Sequence, residues 1–348
     1  MRWLCWAVLA MGCTGAPPRP NGAPPDLLVV VLPAGADAAP PAALASEMAH
    51  FKDAHAVHTT PSTAMRALLT GQWPGTTSSV RPNTMQGVLG LYGYRTVGAL
   101  PAELIPADAT WLGDGLEAAP MQGRCLSEQL EQVDRLQPTA PDQAVFTLVV
   151  GPHCADGLQG SVAALTAIVT ADAPPRHVAV VGLTGRVDGA ALSEADTHTP
   201  LWLAGPDLTA TGSHAGMASV VDVLPTLLPK ARAVVPSDAT GTGLHEVLRQ
   251  GESAASAAVF QQDEQGAMAI RTTRHLLRLP PTPTPLPDAV PDGSVLLKAD
   301  GSPTKATDMA PLYAALRHWD ARRRATSAAD RMGDAAFREL LRDQGYWH

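Results

Sequence analysis

Apolar runs and helix-spaced stretches alternate along most of this chain. Leu27–Leu32, Ala144–Val150 and His177–Gly182 are short, nearly unbroken hydrophobic runs rich in β-branched residues. Such runs suit central parallel strands, which are buried on both faces. Between them lie stretches with apolar residues three and four apart: Ala43–Phe51, Ala64–Leu69 and Ser161–Thr170. Their spacing predicts amphipathic helices. From about residue 255 the pattern changes. Ala258–Phe260 and Ala267–Leu279 read as antiparallel strands, Pro280–Pro291 as a proline-rich loop, and Leu312–Arg324 as a helix with a basic end. The expected fold class is α/β: a doubly wound, mainly parallel sheet over 26–254, followed by a small C-terminal antiparallel α+β subdomain over 255–348 in the same domain unit.

Composition narrows the function. Lys and Arg number 25 against 33 Asp and Glu, a net charge of −8, and charged residues are only 17% of the chain. No nucleic-acid partner is expected, because that requires a basic face. The first residues read as a targeting segment: Arg2, then a short apolar run from Trp3 to Gly12, too short to span a bilayer. The run ends Leu9-Ala10-Met11-Gly12-Cys13, which resembles a bacterial lipobox, with Cys13 as the lipidated residue. The alternative is an ordinary cleaved secretory signal. Either reading makes this an exported protein, and the first makes it a membrane-anchored lipoprotein of the periplasm or cell surface. Residues 14–25, rich in Pro, Gly and Ala, read as a tether. Outside the leader only Cys125 and Cys154 remain. They are a possible disulfide in an oxidising compartment, or two unrelated buried thiols.

The candidate chemistry centres on His58–Gly71. Thr59–Thr63 reads as a loop and Ala64–Leu69 as a helix start, with Ser and Thr side chains placed to cap it. A loop feeding a helix N-terminus gathers backbone N–H groups and suits a nucleophile attacking a phosphate or sulfate ester. His50, His55 and His58 nearby read as surface and loop histidines, the alternative being a metal cluster. Arg322-Arg323-Arg324 reads as a solvated helix end.

Several motifs resemble those of the sulfatases in the alkaline-phosphatase-like superfamily. They are Leu68-Leu69-Thr70-Gly71 with Trp73-Pro74, the segment Thr84–Thr96 ending Gly93-Tyr94-Arg95-Thr96, His198–Asp207, and Val220-Val221-Asp222-Val223-Leu224-Pro225-Thr226-Leu227-Leu228. In the last, a helix is expected to begin at or near Pro225, capped by Asp222. The resemblance covers nearly everything after residue 25. It implies metal-assisted ester hydrolysis by an oxidised Cys or Ser, with a divalent cation, Ca²⁺, held by carboxylates. Counted back from Thr70 without a gap, the nucleophile position holds Pro61. The ligand position at the end of the first strand holds Leu32, although Asp37 matches the segment's last Asp. After the strand at His177–Val181, Gly182-Leu183-Thr184-Gly185-Arg186 stands where an Asp-His pair is expected.

No bound cofactor is therefore expected. The expected function is that of a sulfatase-like pseudoenzyme at the cell envelope, binding a protein or anionic glycan partner. Two alternatives stand beside it. One is a metal-independent sulfate or phosphate ester hydrolase using Thr60 or Ser62, with Arg66, Arg186 and His153 holding the anion. His153 would stand at the carboxyl end of a strand, where open α/β sheets bind ligands. The other is a structural envelope lipoprotein without a ligand.

Overall fold

Strand β1 (Asp26–Leu32) is buried along its whole length, as its unbroken apolar sequence requires. The computed structural model describes residues 22–32, 39–75, 82–98, 100–117, 125–133, 136, 143–152, 157–171, 175–185, 192–208, 211–250, 258–299, 301–304 and 309–324. After β1 come α1 (Ala42–Ala45), β2 (Ala49–His55), α2 (Pro61–Thr70), α3 (Met85–Leu91), β3 (Arg95–Gly98), α4 (Leu126–Val133), β4 (Val145–Val150), α5 (Gly157–Val169) and β5 (Arg176–Gly182). Then follow α6 (Glu194–Thr197), β6 (Leu201–Ala204), β7 (Gly212–Ser219), α7 (Val223–Lys230), α8 (Leu244–Gln250), β8 (Val259–Gln262), β9 (Met268–Arg271), β10 (His275–Leu279), β11 (Val295–Lys298) and α9 (Met309–Arg324).

Among the described residues, seven strands form one sheet in the order β3-β4-β1-β5-β6-β2-β7. Only β6 runs antiparallel to its neighbours, so β1, β2, β4 and β5 all point their carboxyl ends to the same edge. Alternate residues of β1 face opposite layers. Leu27, Val29 and Val31 pack with Leu68, Met85 and Leu224 from α2, α3 and α7. Leu28, Val30 and Leu32 pack with Leu130 and Leu165 from α4 and α5. The expected doubly wound sheet is present, with Leu27–Leu32 and His177–Val181 paired in parallel.

The helix expected over Ala43–Phe51 is not. Only Ala42–Ala45 is helical, and β2 starts at Ala49. Leu44, Met48 and Phe51 are helix-spaced, but Leu44 and Met48 bury themselves on one side of the sheet and Phe51 on the other. Because β2 lies between β6 and β7, His50 and His55 are 7% and 0% exposed, and His58, bridged to Gln262, is 7% exposed, so none of them is a surface residue. Helix α7 begins at Val223, two residues before Pro225, with Asp222 at its N-cap. The Asp222 carboxylate accepts from the Ser219 and Thr242 amides at 2.8 and 2.6 Å instead of capping α7.

The second sheet is antiparallel, in the order β11-β10-β9-β8, and buries Phe260, Ile270 and Leu277 against Leu312, Leu316 and Trp319 of α9. Arg323 departs from the expected solvated helix end. It is 7% exposed, its Nε donates to Asp320 Oδ1 at 2.9 Å, and its Nη1 donates to Gln262 Oε1 at 3.0 Å. Its guanidinium also lies 5.0 Å from the Trp319 ring centre. Asp320, 0% exposed, accepts the Leu286 amide as well, so the pair is buried with its hydrogen bonds largely made.

Candidate functional site

In an open α/β sheet ligands bind at the carboxyl ends of the strands. Here that edge carries Leu32, His55, Gly182 and the loop into α2. Pro61 is the first residue of α2, not a loop residue before it. Proline suits this position because its ring presets φ and the missing N–H has no helical partner to lose. It also puts no nucleophilic side chain at the position that the sulfatase resemblance assigns to the nucleophile. Thr60 is the N-cap residue, but its side chain does not cap the helix. Its Oγ1 donates to Glu264 Oε1 at 2.9 Å, and its amide donates to His58 Nδ1 at 2.9 Å. Ser62 and Thr63 follow in the first turn, half-buried. The loop is fixed to the second sheet: the Gln262 amide donates to Val57 O at 3.0 Å and the Thr59 amide to Gln262 O at 3.3 Å. Burial pushes the His58 imidazole down to about 4, so it is neutral and free to accept the Thr60 amide.

The described positions that the sulfatase resemblance assigns to metal ligands are apolar or neutral. Leu32 is 5% exposed inside the cluster of Leu28, Val30, Val149 and Val180. Gly182 sits so close to Thr199 and Pro200 that a side chain there would collide with both. Thr184 is buried and offers one neutral hydroxyl. A hard divalent cation needs several oxygen donors, most of them charged. Among the described residues no group of three or more His, Cys, Asp or Glu is placed to hold a metal ion. These residues do not fit the cation that the sulfatase resemblance implies. Asp37, His153, Cys154, Arg186 and Cys13 lie outside the described residues. Cys125 is disulfide-bonded, its partner outside those residues. The Leu126 amide donates to Pro152 O at 2.8 Å, bringing the chain just before Cys154 alongside.

A buried polar cluster at the same edge escaped the sequence reading. His55 Nε2 donates to Asp53 Oδ1 at 2.8 Å, and the His55 and His198 rings are 5.5 Å apart. Arg271, 3% exposed on β9, pairs with Glu194 at 2.5 Å. Burial works to raise the Asp53 carboxyl, but the His55 hydrogen bond and the nearby Arg271 charge outweigh it and hold it below the usual carboxylate range. Burial depresses His55, with Arg271 adding to the effect, so the ring is neutral. Asp53 only accepts when ionised, so Nε2 carries the proton. His55 has no access to solvent, and the cluster locks β2 and α6 to the second sheet. The lone sequence signal was three histidines close together; Arg271 and Glu194 lie far from them in the chain.

Two open spaces flank these elements. A cleft of 450 Å³ runs along β2, lined by Pro40, His50, Lys52, His198 and Ser213. His198 Nε2 donates to Lys52 O at 2.7 Å, which fixes its ring at the cleft wall. A smaller cleft of 220 Å³ lies on the outer face of α2 and includes Thr63, Arg66, Trp73 and Asp108. Arg66 pairs there with Asp108 at 3.1 Å and lies 5.8 Å from the Trp111 ring centre, while Thr60 pairs with Glu264 instead. No helix among the described residues is long and apolar enough to cross a membrane.

No protein-family model matches the chain, and no curated protein matches it in sequence. Solved structures do match. A phosphonate monoester hydrolase from Silicibacter pomeroyi superposes with a TM-score of 0.61 at 11% identity, over 84% of this chain and 94% of that one. A protein in the alkaline phosphatase superfamily from Vibrio parahaemolyticus gives 0.59 at 17% identity, over 95% and 90%. The fold is the alkaline-phosphatase-like one. A 2-O GAG sulfatase also matches, with a TM-score of 0.57 at 13% identity, over 92% of this chain and 91% of that one. At these identities the likeness speaks for the sulfatase-like architecture, not for the activity.

Proposed function

We propose that this protein is an exported, non-catalytic sulfatase-like protein that binds an anionic glycan or protein partner at the cell envelope. The observation that carries the proposal is the burial of Leu32 within an apolar cluster at the position where the sulfatase pattern needs a carboxylate. Pro61 at the head of α2 removes the nucleophile as well. Loss of nucleophile and cation together leaves the developing charge of a sulfate or phosphate ester without stabilisation. The cleft of Lys52, His50 and His198 offers basic and hydrogen-bonding groups for an anionic ligand.

The test is release from a chromogenic aryl sulfate and a chromogenic phosphate monoester, with and without Ca²⁺, Mg²⁺ or Zn²⁺. Background rates are expected throughout, and Pro61→Ser should not raise them, because no cation site would accompany the new hydroxyl. One observation favours a second reading. The Thr60 hydroxyl donates to the Glu264 carboxylate at 2.9 Å beside a helix N-terminus, a nucleophile-and-base geometry that needs no metal. Turnover that disappears in Thr60→Ala and Glu264→Gln would replace the non-catalytic reading with that one.

A further inference from the structure

Three of the large apolar side chains at the surface share one end of the molecule. Leu91 is 86% exposed, Tyr92 45% and Val234 70%. Leu91 ends α3 and Tyr92 begins the turn leading to β3, and the Tyr92 hydroxyl accepts the Val234 amide at 3.2 Å. The strand directions place this turn and the residues after α7 at the amino edge of the sheet. The chain enters the fold at the same place: Arg232 Nη1 donates to Gly22 O at 3.1 Å, and the Tyr94 hydroxyl donates to Pro25 O at 2.8 Å. Nine residue steps separate Cys13 from Gly22. Fully extended, they reach at most about 30 Å.

We propose that Leu91, Tyr92 and Val234 form a docking surface for a lipid bilayer, which seats the protein with its amino edge on the membrane and its carboxyl edge facing away. The inference rests on the lipid-anchored reading of Cys13. A tether of about 30 Å favours the end at which the chain enters the fold as the one that meets the bilayer, and that end exposes Leu91, Tyr92 and Val234. Leucine and valine partition into the acyl boundary, and tyrosine suits the interface. Arg232 beside them adds attraction to anionic headgroups.

The test uses full-length lipidated protein reconstituted in vesicles of phosphatidylcholine and phosphatidylglycerol. An environment-sensitive fluorophore is attached at Leu91→Cys, at Val234→Cys, or at the exposed Gln265→Cys beside Glu264 on the opposite edge. The first two probes should shift to the blue and be quenched several-fold more than the third by a quencher buried in the bilayer. Vesicle-bound protein whose three probes are quenched alike overturns the docking surface and leaves the anchor intact. Protein that never joins the vesicles overturns both. A blue shift at Leu91→Cys without vesicles means that another protein copy covers the patch, which also overturns it.

Discussion

Replacing Leu32 by aspartate would restore the carboxylate that the sulfatase pattern requires, and the structure predicts that the protein will not tolerate it. Leu32 is 5% exposed among Leu28, Val30, Val149 and Val180. Losing its packing costs about 2–5 kcal/mol. The carboxyl left in that cluster would have a pKa raised by about 3 units, a further cost of about 4 kcal/mol at neutral pH. Together these approach the whole stability of a typical domain, about 5–15 kcal/mol. The sign of the pH effect is fixed. A raised folded pKa leaves only the packing cost below about pH 4, the unfolded carboxyl's pKa, and the ionisation cost then grows with pH up to the raised value and levels off above it. Guanidinium unfolding of wild type and Leu32→Asp at pH 5 and pH 8 measures both quantities. A variant within about 1 kcal/mol of wild type, or one whose midpoint rises with added Ca²⁺, would show that the position is still a ligand site and refute the reasoning.

Further outcomes follow from other parts of the molecule. Asp320→Ala strands buried Arg323 and the Leu286 amide and should cost about 3–5 kcal/mol in denaturant unfolding. His58 and His177 are depressed to about 4, mainly by burial, so their contribution is complete above pH 6.5 and is lost as pH falls towards 4. Below pH 6.5 each of the two should then lower stability by about 1.4 kcal/mol per pH unit, and His177→Gln should reduce the slope by about that amount. Cys13→Ser should move the protein from the membrane fraction to the soluble exported fraction; wild type that is already soluble would leave plain secretion as the reading.

Much of the sheet was legible because β1, β4 and β5 are buried on both faces and therefore read as unbroken apolar runs. The antiparallel strands β8 to β10 were legible for a related reason, their apolar stretches being separated by turn residues. Strand β2 was not. Its Ala-His-Phe-Lys-Asp-Ala-His sequence has few apolar residues, and its burial comes from the neighbouring strands and from polar partners. Strand β7, Gly-Ser-His-Ala-Gly-Met-Ala-Ser, is equally unmarked. At the site, Leu32 and Pro61 could be singled out by counting along motifs, because substitution by a residue without donor atoms is visible in one dimension. Whether Thr60 would cap α2 could not. That depended on Glu264, 204 residues away, which takes its hydroxyl. Arg323 shows the same limit, since Gln262 and Asp320 decide that it is buried.

We propose that the fold has kept the sulfatase-like scaffold and lost its cation site. Calcium bound to the purified full-length protein, measured by equilibrium dialysis followed by elemental analysis, tests it most directly. No stoichiometric calcium is expected at millimolar free concentration. One tightly held calcium ion per chain would contradict it.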